Sequence, residues 1–248
     1  MYQFFIRKEN IRSSEILLNK PEDINHIKNV LRMRPGEQVC FCCEETGKDY
    51  ICRLSDVGSE EIRAAIEDIE GASGELPVRL VLFQGLPKSD KMDLIIQKAV
   101  ELGAFEIVPV AMKRCVVRLD SKKAAKKVQR WNEIAKSAAK QSKRSHIPEV
   151  KEVMTFPEAV SYAEKLDLVL LPYEDAEGIS HSRQVLSSVK GKKSAGIFIG
   201  PEGGFDEGEV SRAVEAGAHP ITLGHRILRT ETAGMAVLSI LMFMLEED

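Results

Sequence analysis

A chain of 248 residues is long enough to bury a substantial core, as one large domain or two smaller ones. Hydrophobic residues make up 44% and charged residues 29%, a balance that excludes a disordered polymer. A formal charge of −3 excludes a uniformly basic nucleic-acid coat but leaves room for a local basic face.

The first 70 residues read as short strands interrupted by one helix. FFI (4–6) is a strand, and QVCFCCEETGKDYICRLSDV (38–57) gives a strand, a turn at Glu45–Lys48 and a return strand. Between them PEDINHIKNVLRM (21–33) sets Ile24, Ile27, Val30 and Leu31 at helical spacing, with Pro35-Gly36 as the stop. Alternation puts Cys40 and Cys42 on one face of their strand and Cys43 on the other. C-x-C-C has neither the spacing of a zinc motif nor a neighbouring His, so the five cysteines are expected as buried reduced thiols, with no metal. MYQFFIRKEN lacks the apolar core of a signal peptide, and the most apolar run, MAVLSILMFML (235–245), falls short of the roughly 20 residues of a membrane span. A soluble, cytoplasmic chain with no membrane segment is expected.

GASGELP (71–77) is a linker by composition. Beyond it RLVLFQG (79–85), DLVLLPY (167–173), GIFIG (196–200) and HPITLG (219–224) are apolar runs suited to strands buried on both faces. Helical patterns separate them at 88–102, 121–142, 156–165, 206–217 and 230–246. The expected architecture is a small β-rich domain over 1–70, a linker over 71–77, and an α/β domain over 78–248 with a largely parallel sheet between helices. The last helix is apolar nearly all round from Met235 to Leu245, so one face suits the core and another a partner; a homodimer is expected.

From Lys113 to Arg144 twelve basic residues meet only Asp120 and Glu133. On the long helix Ala124, Val128, Trp131, Ala135 and Ala138 form the inward stripe, leaving Lys122, Lys126, Lys127 and Arg130 outside. Such a run is either a solvated face or a surface for a polyanion, with RNA the best-fitting one.

GPEGGF (200–205) joins a strand to a helix, where open α/β sheets take ligands. It matches neither GxGxxG nor the P-loop, and Glu202 would repel a phosphate. LGHRILRTETAG (223–234) again leaves a strand at a glycine, with Thr230 as a candidate N-cap, and LPYE (171–174) ends a third strand. Each is either a tight turn or one wall of a shared pocket. Backbone groups with Leu223, Ile227 and Leu228 would suit an adenosine, whose edge reads peptide groups and whose face takes aliphatic cover.

IGPEGGF with LGHRILRTETA resembles the paired cofactor loops of SPOUT methyltransferases. HIKNVLRMRPGE (26–37), GLPKSDKMDLIIQKAVELGA (85–104), RCVVRLD (114–120) and RWNEIAKSAAKQSKRSHIPEV (130–150) extend the likeness to the RsmE family, which methylates N3 of a uridine in 16S ribosomal RNA. The resemblance implies a PUA-like β-barrel for RNA, a SPOUT α/β domain with a C-terminal trefoil knot, a homodimer, and a ribosomal RNA or small-subunit substrate. It implies S-adenosylmethionine (SAM) held by Leu171, Pro172 and Tyr173, by Ile199, Gly200, Pro201, Glu202, Gly203 and Gly204, and by Leu223, Gly224, Arg226, Ile227 and Leu228. The chain departs from the family at His225, often a proline there, and over 174–194.

Methylating N3 requires loss of its proton. Arg229 is expected to supply a cation for the developing charge, and Glu202 or Glu231 to accept the proton. The alternatives are an ion pair or cap for Arg229 and Glu231, and a loop-holding role for Glu202. RNA contacts are expected from Lys88, Arg114 and Arg144, and from His26, Arg32 and Arg34, although His26 could equally pack on its helix. Two other readings stand beside this one: an enzyme acting on another RNA, and a non-catalytic RNA-binding ribosome-assembly factor.

Overall fold

In the computed structural model, which describes all residues except 72–73, 175 and 247–248, the chain forms two units. Met1–Glu75 with Lys143–His146 make one, and Leu76–Ser142 with Ile147–Asp248 the other.

The first unit is a five-stranded sheet. Its elements are β1 (Tyr2–Phe5), β2 (Glu15–Leu18), α1 (Pro21–Asn25), β3 (Gln38–Cys43), β4 (Lys48–Val57) and β5 (Ile62–Gly71). The strand order is β1-β3-β4-β5-β2, with β1 parallel to β3 and every other pairing antiparallel. No pairing between β1 and β2 closes this ladder among the described residues. Pro21 opens α1, which runs on as a π-helical stretch over His26–Val30. The expected helix of 21–33 ends early because Arg32 turns left-handed at φ +54°. Phe4, Ile16, Ile27, Phe41 and Leu54 centre the core, and alternation sends Val39, Phe41 and Cys43 of β3 into it. All five cysteines are free and buried; burial pushes the Cys52 thiol up to about 12, so it stays protonated at neutral pH. Of the expected linker 71–77, Gly71 belongs to β5, residues 72–73 lie outside the described residues, and Glu75 is paired with Arg144.

The second unit alternates strands and helices. In chain order these are β6 (Arg79–Gly85), α2 (Lys91–Glu101), β7 (Ala104–Ala111), α3 (Ser121–Gln141), β8 (Glu149–Val150), β9 (Met154–Thr155), α4 (Phe156–Ala163), β10 (Leu168–Pro172), α5 (Ile179–Ser187), β11 (Ser194–Ile199), α6 (Glu207–Glu215), β12 (His219–Ile221) and α7 (Thr230–Leu245). All pairings are parallel, in the order β12-β10-β11-β6-β7-β8, with β9 also on β7.

Alternation along β6 and β11 separates two faces. Phe83 stacks on Phe198 at 4.4 Å between ring centroids, and Phe156 of α4 closes on Phe198 at 5.7 Å. Leu82, Gln84 and Ile199 point the other way, where α7 crosses at Gly234. Helices therefore cover both faces, as parallel strands require. α3 buries Trp131, Ala135, Ala138 and Ala139, close to the expected stripe, while Ala124 and Val128 are only half-buried. No helix among the described residues is long and apolar enough to cross a membrane.

Candidate cofactor and catalytic site

Parallel pairing puts the carboxyl ends of β6, β11, β10 and β12 along one edge of the sheet, so the expected loops leave from neighbouring strands. Outside such ends is where open α/β sheets bind ligands. The loops are fastened to one another. Gln84 Nε2, fully buried at the end of β6, donates to Thr230 Oγ1 at 2.8 Å, and that hydroxyl donates to Gly200 O at 2.6 Å. Gly85 follows, and a Cβ there would stand 2.7 Å from Pro201 N, so only glycine lets β6 and the glycine loop meet. Tyr173 N donates to Ile221 O at 2.9 Å, tying the β10 loop to β12, and Thr222 N donates to Ser182 Oγ of α5 at 2.8 Å.

The bond from Thr230 corrects one expectation. The N-cap of α7 is Arg229, whose side chain makes no cap, and Thr230 lies inside the helix with its hydroxyl directed to the glycine loop. Arg229 is exposed; its carbonyl accepts from Ala233 N at 2.8 Å, while its side chain makes no hydrogen bond or ion pair among the described residues. Neither an ion pair nor a cap therefore accounts for it.

Glu202 and Glu231 come together around a residue that sequence reasoning passed over. Lys91 Nζ lies 3.0 Å from Glu202 Oε1 and 3.2 Å from Glu231 Oε2, the second contact being a charge pairing outside hydrogen-bond geometry. Glu202 also accepts from the N–H of Lys88, at 3.1 Å to Oε1 and 3.3 Å to Oε2. Partial burial works to raise the Glu202 carboxyl, but its own N–H, Lys91 and Lys88 together hold it below the ordinary carboxylate range. Glu231 is held low by its own N–H, against burial, with help from Lys91 and Arg229. The Lys91 ammonium is raised by Glu202 first and Glu231 second. Ser89, two residues earlier, sits at φ +58°, an uncommon conformation for a non-glycine residue, in the loop that brings Lys88 and Lys91 to the two carboxylates.

The expected cofactor residues divide by burial. Leu171, Ile199 and Pro201 are buried supports; Pro172, Tyr173, Gly200, Gly204, Leu223, Gly224 and Leu228 are half-buried; Glu202, Gly203, Arg226 and Ile227 are exposed, as is His225. Ile227 is 87% exposed, an apolar side chain left facing outward at a loop tip. Gly224 takes φ +110°, and Thr222 Oγ1 accepts its N–H at 3.2 Å. The N–H groups of Leu223, Ile227 and Leu228 have no partner among the described residues. Unfilled backbone donors beside aliphatic side chains fit the edge and face of an adenosine.

The expected RNA residues separate into groups. Arg114 lies against the glycine loop, its Nη1 donating to Gly203 O at 3.2 Å, and the side chain of Lys88 is exposed. In the first unit Arg32 and Arg34 are exposed, while His26 meets Phe4 edge to face at 5.7 Å, which favours the packing reading. Arg144 is 3% exposed, with Nε and Nη2 on Glu75 at 3.2 and 2.5 Å; its charge is inside the fold, and it is unsuited to contacting RNA. Gln84, Lys91, Ser182 and Thr222 were missed. Only Gln84 left a signal, as a polar residue in the apolar run RLVLFQG.

A model of the RNA methyltransferase domain matches residues 74–242, and one of the RNA methyltransferase PUA domain matches 18–67. The chain is 38% identical over 251 aligned residues to ribosomal RNA small subunit methyltransferase E of Bacillus subtilis, covering 99% of this chain and 98% of that one. Its structure is similar to that of the same enzyme from Neisseria gonorrhoeae bound to SAM, with a TM-score of 0.80, 34% identity, and 96% and 95% of the two chains covered. A methyltransferase of Legionella pneumophila in complex with SAM matches with a TM-score of 0.80, 30% identity and 96% of each chain covered. With its loops fastened at the carboxyl edge of a parallel sheet and likeness along nearly its whole length, this chain belongs to the ribosomal RNA small subunit methyltransferase E family.

Proposed function

We propose that this protein transfers the methyl group of SAM to N3 of a uridine in small-subunit ribosomal RNA. The observation that carries the reading is the fastening of three strand-end loops through Gln84, Thr230 and Gly200, which leaves backbone donors of 223–228 unfilled beside aliphatic cover. When bound, SAM supplies a methyl group activated by its sulfonium. The chain's residues bind, position and exclude water, which contribute much of the rate in such a transfer. Arg229, exposed and unpaired among the described residues, is assigned to the charge that develops on the uracil ring. Of the two carboxylates, Glu202 engages Lys88 N and Lys91, so its role is to hold the loops. Glu231 has Lys91 as its one ion-pair partner among the described residues and is assigned as proton acceptor for N3, directly or through water.

Three further features belong to the same reading: a PUA-like β-barrel in the first unit, a trefoil knot formed by the 199–204 and 223–228 loops ahead of α7, and a homodimer. The dimer is supported by Phe243, 84% exposed, and Ile240, 40% exposed, on the apolar α7. RNA contacts are assigned in the second unit to Arg114 and Lys88 beside the loops and to the exposed lysines of α3, and, separately, in the first unit to Arg32 and Arg34. Methyl-labelled SAM offered with small ribosomal subunits, free ribosomal RNA and transfer RNA tests the substrate class. Label is expected in the small-subunit RNA; label in transfer RNA alone contradicts the assignment, and no label in any RNA favours a binding factor.

A further inference from the structure

The face of β3 turned away from the core carries Cys40 and Cys42, two residues apart and therefore side by side. Asp49 of β4 is the cross-strand partner of Cys42 and stands on that same face. Cys40 is 9% exposed, Cys42 0% and Asp49 3%. The two Sγ atoms lie 3.8 Å apart, and one ligand atom from each of the three residues falls within 4.8 Å of the other two. Burying a carboxylate against two thiols is costly unless something of opposite charge or a strong donor compensates it. The segment 143–146, which belongs to this unit, returns across the face. Ser145, 4% exposed, donates through Oγ to Asp49 Oδ2 at 2.7 Å, and Gln3 Nε2 anchors the segment by donating to Arg144 O at 2.7 Å.

We propose that Cys40, Cys42 and Asp49 form a binding site for a thiophilic divalent cation, zinc above all. Tetrahedral zinc with bonds of about 2.3 Å to sulfur sets two thiolates about 3.8 Å apart, the spacing these two thiols hold. A carboxylate is an accepted third ligand, and its hydrogen bond from Ser145 fixes its orientation as outer groups do for metal ligands. Two sulfurs in the set select against calcium and magnesium, which take oxygen ligands. Three protein ligands leave one position for water. Binding releases the two thiol protons to solvent, so the affinity rises with pH. C-x-C-C looks ligand-poor in sequence because its third ligand comes from across the hairpin, which a spacing rule along one strand does not register.

Cobalt(II) titration of the full-length protein, prepared with chelator and reductant, tests the site. One equivalent is expected to produce the charge-transfer absorption of a thiolate-bound, tetrahedral ion, and zinc is expected to displace it. Cys42→Ser and Asp49→Asn should weaken binding by at least about tenfold, and Ser145→Ala by about tenfold with the thiolate band kept. Cys115→Ser, in the other unit, should change nothing. Zinc should also raise the melting temperature of the unsubstituted protein where magnesium does not, a readout that needs no variant to fold. Absence of the thiolate band in the unsubstituted protein overturns the proposal, as does a band that survives in the Cys40→Ser/Cys42→Ser double variant.

Discussion

Lys91 pairs with two carboxylates, Glu202 of the glycine loop and Glu231 in the first turn of α7. Because Glu202 and Glu231 are both held low, their ionised forms stabilise the loops above the ordinary carboxylate value of about 4.3. That contribution is lost as pH falls below it, through the folded-state values. Lys91→Met removes the cation, lets the carboxylates repel and raises both, so the acid limb of the pH–rate profile should move to higher pH; an unmoved limb would separate Lys91 from the site. Arg229→Ala is expected to lower kcat by about a hundredfold or more, the usual cost of one transition-state donor, with SAM affinity by calorimetry nearly unchanged. Equal loss of SAM binding would instead make Arg229 a cofactor ligand. Glu202, Glu231 and Arg229 were legible in sequence because they sit in the glycine-bearing segments themselves. Lys91 was not, because its role depends on the left-handed turn at Ser89 and on a contact 111 positions along the chain to Glu202.

At the scale of elements, strands with continuous apolar runs read cleanly: RLVLFQG is β6 residue for residue, and the runs at 167–173 and 196–200 cover β10 and most of β11. AFEIVPVA, β7, went unread, and so did α5, whose sequence ISHSRQVLS offers only Val185 and Leu186 as buried aliphatics. The basic face of α3 was legible as charge but not as function. Of its outward residues Arg130 pairs with Asp93 of α2 and Lys123 with Asp120, while Lys122 and Lys126 stay exposed. Reversing both to Glu should weaken RNA binding at every sequence tested and flatten its salt dependence by roughly two contacts; an unchanged slope would leave α3 a solvated face. Arg144 lies at the end of that basic run yet is buried, and Arg144→Ala leaves Glu75 with the His146 N–H but without its cation. A loss of roughly 3 kcal/mol in unfolding stability is expected, since breaking a buried pair leaves one charge uncompensated.

On the scale of the whole molecule, the excursion of Lys143–His146 into the first unit is what chain-order reading had no means to find. It depends on Arg144, Ser145 and His146 meeting Glu75, Asp49 and Glu44 far away in sequence. The outward α7 residues were legible as an all-round apolar helix, and Phe243→Glu should yield a monomer in sedimentation; a dimer that persists would put the contact elsewhere. The chemical identity of the product tests the proposed methyl transfer to uridine N3. Small-subunit RNA modified by the protein with isotopically labelled SAM is digested to nucleosides and resolved by mass spectrometry. Label is expected in 3-methyluridine, absent from the Arg229→Ala reaction. Label on a ribose 2′-hydroxyl, or on any base atom other than uridine N3, would contradict that transfer.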